Sequence, residues 1–264
     1  MPRNKKKGRS LKKFRNRAEK KARRFREEAK QLDSTGKKRP VDYIINKDVV
    51  YNRAEEDFNN LLVRYDYQLG FPGAVNDEST AIHGKGVGED ESRLDLRGDF
   101  VITIDGETAK DFDDAISLSF RDGIYHLGVH IADVSHYVEK DSKLDKIAAR
   151  RGTSVYLIDH VIPMLPEVLS NDLCSLVEGK PRLTFSCLMD IDESGRCLRT
   201  TFKKSVIQSR RRTTYTEVQK ILDGKLDLGE EFRNKVVLFN QLKQILFRKR
   251  IREGAINLES DELF

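Results

Sequence analysis

Apolar positions along this chain follow two periods, and the switches between them mark its elements. Phe100, Val101, Ile102 and Ile104 form a β-rich run, and Ala115 to Phe120 alternates in part, which predicts two strands separated by a loop in which Gly106 permits a sharp turn. Arg121-Asp122-Gly123 predicts a hairpin turn, after which Ile124 to Asp133 returns as a strand with Gly128 inside it. Lys140 to Arg151 reads as a short helix, and the prolines of Ile162 to Pro166 hold that segment extended. LSNDLCSL then opens as a helix-like turn with Ser170 or Asn171 as its cap. Leu183 to Ile191 and Cys197 to Ile207 flank Asp192-Glu193-Ser194-Gly195, the pattern of an antiparallel hairpin. A helix follows Thr213-Thr214-Tyr215 and runs through Leu222. A last one spans about Glu230 to Glu253, with Val236, Val237, Phe239, Leu242, Ile245 and Leu246 as its apolar face. The pattern predicts a mixed α/β (α+β) fold, a curved and mainly antiparallel sheet with flanking helices.

The first forty residues follow a different rule. Leu11, Phe14, Ala18, Ala22, Phe25, Ala29 and Leu32 recur at steps of three and four, a thin apolar stripe that Gly36 and Pro40 end. This arm holds 18 Lys and Arg against 4 Asp and Glu, a net of +14, so the remaining 31 basic and 39 acidic residues carry −8. The overall +6 therefore describes an acidic body with a basic arm, either helical or disordered. The arm suits phosphate neutralisation, with RNA or the ribosome as partner, and equally suits plain solvation. Residues 41–92 read as a connector, with a short run at Val41 to Tyr51, a helix through Ala54 to Leu69, and then FPGAVNDES and GKGVG. No continuous apolar stretch follows the basic start, so the chain is expected in the cytoplasm. Cys174, Cys187 and Cys197 form no C-x-x-C pair and read as reduced, mostly packed thiols.

Charge is densest just behind the first strand, where Asp105, Asp111, Asp113 and Asp114 fall within ten residues. Carboxylates that close repel and raise one another's pKa, so the loop calls for a positive partner. Oxygen ligands without histidine or cysteine suit a hard cation, Mg²⁺ or Mn²⁺. A solvated acidic turn is the plainer alternative, and the order of ligands does not fit an EF-hand. His130, Asp133 and His136 match no zinc spacing and are read as structural, as is Asp172. Arg210, Arg211 and Arg212 could hold backbone phosphates or form a solvated face.

The string ESRLDLRGDFVITIDGETAKDFDDAISL, followed by GVHIADVSHYV, SKLDKIAARRGTSVY and IPMLPEVLSNDLCSL, resembles the RNB catalytic domain of the RNase II and RNase R exoribonucleases, collinearly from about Arg93. The resemblance implies a 3′ to 5′ hydrolytic exoribonuclease that degrades single-stranded RNA with a free 3′ end to nucleoside 5′-monophosphates and depends on a divalent metal. It also implies that Tyr156 stands where the family has an aromatic residue near the 3′-terminal nucleotide, and that Asp105, Asp111, Asp113 and Asp114 are catalytic and metal-holding. Residues 93–264 correspond to the N-terminal portion of that domain. The expectation is a truncated domain, as a fragment or a split-gene product, that a second polypeptide completes. The contrasting expectation is a non-hydrolytic RNA-binding or ribosome-associated protein with an inert domain.

Overall fold

The computed structural model describes residues 68–88, 90–157 and 161–256, together with Leu62, Arg64 and Tyr65. The chain divides into residues 1–69 and 70–264, and the described structure lies almost entirely in the second unit. The basic arm, the run at Val41 to Tyr51 and nearly all of the helix expected over Ala54 to Leu69 lie outside the described residues.

The second unit is built on one seven-stranded sheet in the order β1-β8-β7-β4-β3-β2-β9. Its strands are β1 (Leu94–Asp95), β2 (Val101–Asp105), β3 (Asp114–Arg121), β4 (Ile124–Ala132), β7 (Pro181–Asp192), β8 (Cys197–Gln208) and β9 (Arg211–Thr214). A separate pair joins β5 (Val155–Tyr156) to β6 (Val161–Ile162). The centre of the large sheet is antiparallel, as the hairpin signals require. Both edges are parallel, β1 on β8 and β2 on β9, because a strand reached by a long excursion is free of the antiparallel constraint of a tight turn.

Turn chemistry fixes the hairpin registers. Asp122 and Gly123 both take positive φ, at 51° and 75°, the two-residue turn that matches strand twist, and Arg121 consequently faces Ile124. At the β7–β8 turn the Asp192 carboxylate accepts from the Ser194 and Arg196 amides, and Gly195 takes φ 83°. By contrast, Gly106 has an ordinary φ and is not needed for its missing side chain.

Alternation along the strands separates the cores. Val101, Ala115, Ala132, Leu183 and Ile207 turn one way, to meet Leu144, Leu165, Leu169, Leu173 and Leu176 from the segments between β4 and β7. The intervening positions turn the other way. Ile102 packs with Ile221, Phe232 and Val236, and Leu118, Tyr125 and Ile191 pack with Leu242. Those partners come from α4 (Tyr215–Leu222) and α5 (Glu230–Arg252), helices whose bounds agree with the sequence pattern.

Two helices escaped the pattern. Helix α1 (Gly73–Lys85) occupies what reads as connector and sends Val75 into the first core. Its apolar residues are too sparse to announce a face. Helix α2 (Val134–Tyr137) is a single turn, and the short α3 (Lys143–Arg151) begins at Ser142, whose hydroxyl accepts from the Asp145 amide. The helix-like turn after Pro166 is a π-turn, Leu169–Leu173, with Val168 at its N-cap. Ser170 and Asn171 are thus inside the turn rather than capping it. Of the cysteines, Cys174 is buried, Cys187 partly so and Cys197 exposed, all unpaired. Among the described residues no helix is long and apolar enough to cross a membrane.

Candidate active site

Strand β2 ends at Asp105 and strand β3 begins at Asp114, so the sheet itself sets the two ends of the aspartate loop. Between them Phe112 is buried against the first core, while Asp111 is half-buried and Asp113 and Asp114 are exposed. One aromatic anchor among acidic neighbours holds the loop to the body and leaves its carboxylates at the surface.

Hydrogen bonds fix the loop at both ends. Arg212, on the neighbouring β9, donates from Nη2 to the carbonyls of Gly106 and Glu107 at 3.1 and 2.7 Å, and its guanidinium lies 5.3 Å from the Phe112 ring centre. At the far end the Phe112 amide donates to Ser175 Oγ at 3.0 Å, and the Leu176 amide donates to the Phe112 carbonyl at 2.8 Å. Ala132 N–H reaches the Asp113 carbonyl at 2.9 Å, which seats the loop exit on β4.

Burial and mutual repulsion dominate the electrostatics of the cluster. Burial first, then the Asp114 carboxylate, push Asp105 from 3.8 to about 6; Arg212 opposes the rise, while Asp111 and Asp113 add to it. Asp113 is likewise raised, by partial burial and then by Asp111 and Asp114. The buried Oδ2 of Asp105 has no hydrogen-bond partner. Asp111 has a neutral partner, since the Tyr156 hydroxyl donates to its Oδ2 at 2.8 Å. That bond, followed by burial, pushes the Tyr156 hydroxyl up to about 12. The Tyr156 side chain is otherwise largely exposed, at 65%.

An all-carboxylate donor set with an orphaned buried oxygen fits a hard cation by its chemistry. In their present positions, however, no three carboxylate, imidazole or thiolate groups among the described residues are gathered closely enough to hold one.

Of the three arginines, only Arg212 is directed at the loop. Arg211 faces Glu217 at 3.6 Å and the Phe232 ring, and Arg210 is exposed at the rim of a cavity of about 490 Å³ shared with Asp99, Arg121, His126 and Asp190. None of the four aspartates lines that cavity. The residues read as structural are engaged elsewhere. Buried His130 bonds Ser117 and Ser186, and buried Arg93 pairs with Asp133 at 2.8 Å and approaches His136. Asp172 meets His83 at 2.9 Å and Arg182 at 2.5 Å, and the His83 hydrogen bond is the leading cause of its lowered pKa. Ser175 is the site residue that sequence reasoning missed. A serine between Cys174 and Leu176 carries no signal of which backbone it will bind.

This sheet, with a carboxylate loop at its β2–β3 junction, belongs to a recognisable class: the RNB domain is matched over residues 93–263, and the chain belongs to that family. Within it, the chain is similar to Ribonuclease R of Thermotoga maritima, 49% identical over 214 residues, which are 78% of this chain and 30% of that protein. It superposes on Mycoplasma genitalium RNase R in complex with ribose-methylated single-stranded RNA with a TM-score of 0.73 at 29% identity, covering 79% of this chain and 33% of that one. Yeast Ssd1, a pseudonuclease, shares the fold alone, with a TM-score of 0.53 at 18% identity over 70% of this chain and 26% of that one. The chain thus spans about a third of the length of these two Ribonuclease R relatives.

Proposed function

We propose that this chain carries the carboxylate end of a 3′ to 5′ exoribonuclease site that hydrolyses single-stranded RNA to nucleoside 5′-monophosphates in the cytoplasm. The observation behind this reading is that one loop carries Asp105, Asp111, Asp113 and Asp114, with the Asp105 carboxyl raised by burial and by its neighbours and one of its oxygens left unpartnered.

Asp105, Asp111, Asp113 and Asp114 would hold Mg²⁺ or Mn²⁺. When bound, such a cation lowers the pKa of a coordinated water and neutralises charge on the phosphate and the leaving 3′-oxygen. The chain's own contribution is position. Arg212 fixes the entrance of the loop, and its charge offsets part of the burial and repulsion at Asp105. Tyr156 offers a largely exposed ring for the last base while its hydroxyl orients Asp111. Stacking accepts any base, which suits an enzyme indifferent to sequence. Arg210 and Arg211 are less suited to the reacting phosphate than Arg212. Further RNA contact, including contact with ribosomal RNA, is assigned to the basic arm, and a second polypeptide is assigned the part of the domain that this chain does not span.

A second reading, an RNA-binding protein without turnover, is supported by the absence of three converged ligands among the described residues and by the occurrence of this fold in a pseudonuclease. Linear and circular single-stranded RNAs of one sequence separate the readings. With Mg²⁺ present, mononucleotides are expected from the linear RNA alone. Cleavage of the circle contradicts the exonuclease, and retention of both RNAs intact supports the binder.

A further inference from the structure

Each of the four aspartates must hold its carboxylate still if the loop is to bind a cation, and Asp111 is the one whose backbone is fixed from both sides by a single side chain. Ser175 Oγ accepts from the Phe112 amide at 3.0 Å and donates to the Lys110 carbonyl at 3.1 Å. Those groups belong to the two peptide planes that flank Asp111, so one hydroxyl anchors both planes about the Asp111 Cα. The adjacent Leu176 amide then holds the Phe112 carbonyl at 2.8 Å.

We propose that Ser175 is a positioning residue for divalent metal at this site, acting through the backbone of Asp111; the proposal rests on the metal-dependent reading above. A buried hydroxyl needs a partner wherever it sits, and satisfying its own polarity is the plainer role. Ser175 is fully buried, yet it reaches across 63 and 65 residues of chain to the one loop that carries the aspartates. It also uses both its donor and its acceptor there. Tyr156 completes the arrangement from the other side, orienting the Asp111 carboxylate while Ser175 orients its backbone. Remote groups that orient ligands typically change metal affinity by about 10- to 100-fold when removed.

The test is Mn²⁺ binding, read from the loss of the free-ion electron paramagnetic resonance signal, with thermal midpoints measured on the same metal-free samples. The full chain, Ser175→Ala and Ser186→Ala are compared. Ser186 is an equally buried serine in the middle of the sheet, bonded to His130 and Ser205, and its loss tests hydroxyl removal as such. Both variants are expected to melt earlier, but only Ser175→Ala should lose Mn²⁺ affinity, by about tenfold or more, with Ser186→Ala staying within about twofold of the parent. Parental affinity in Ser175→Ala, or an equal loss in Ser186→Ala, overturns the positioning role and leaves the metal reading standing. A parent that binds no Mn²⁺ overturns both. Should Ser175→Ala fail to fold, hydrogen exchange of the Phe112 amide in the unsubstituted chain decides: protection comparable to the β3–β4 ladder is expected, and exchange as fast as that of an exposed loop amide overturns the clamp.

Discussion

Asp105 and Asp114 stand at the two ends of the same loop, and they predict different consequences when neutralised. The folded state raises the Asp105 carboxyl from 3.8 to about 6, so it binds that proton more tightly than the unfolded chain does. Stability from this group is therefore complete below about pH 4 and is lost as pH rises through about 6. Without divalent metal, Asp105→Asn should melt at a higher temperature than the parent at pH 7.5 and at a similar one at pH 4, as read by calorimetry. A lower midpoint at pH 7.5 would mean that Arg212 more than offsets burial and repulsion. Asp114→Asn keeps volume and removes one negative charge from the cluster. Hydrolysis should fall by about 100-fold or more, as expected when charge stabilisation is lost at a reacting phosphate. RNA affinity should hold or rise, since one repulsive charge has left the cluster. Turnover and RNA binding measured on one preparation separate these, and near-parental turnover at limiting Mg²⁺ removes Asp114 from the site.

Between elements, a buried polar network couples four strands of the described sheet. Ser117 on β3, His130 on β4, Ser186 and Thr184 on β7 and Ser205 on β8 are linked at 2.5 to 3.4 Å. Burial depresses His130 from 6.5 to about 4, so its contribution to stability is complete above about pH 6.5 and is lost as pH falls through 4. Gly128 makes room for this network: a Cβ there would lie 2.4 Å from Ser117 Oγ and 2.7 Å from His130 Nε2. Gly128→Ala is expected to cost about 1 to 3 kcal/mol, visible as a lower denaturation midpoint; an unchanged midpoint would show that the network yields at no cost. The strands that carry it were legible because alternation and turn residues are local signals. Strands β2, β3, β4, β7 and β8 and helices α3, α4 and α5 all follow from such signals. The parallel edges and α1 were not legible, since pairing across long excursions and burial of a sparsely apolar helix depend on partners distant in sequence. The aspartate cluster was likewise visible in the sequence, whereas Ser175 became visible only through contacts 63 and 65 residues away.

For the whole molecule, charge is divided between a first forty residues at +14 and a remainder at −8. Removing residues 1–40 should weaken RNA binding and reduce the slope of log affinity against log salt, because each phosphate neutralised releases counterions. An unchanged slope would give the arm another purpose. The body contributes the carboxylates, Tyr156 and the clamps of Arg212 and Ser175, and the central claim is that they act together with a divalent cation at an RNA 3′ end. The measurement closest to that claim is a time course of the purified chain on 5′-labelled single-stranded RNA, in Mg²⁺ and in EDTA. If the claim holds, a ladder that shortens from the 3′ end is expected in Mg²⁺ and none in EDTA. Intact RNA under both conditions, or the same cleavage in both, would contradict it.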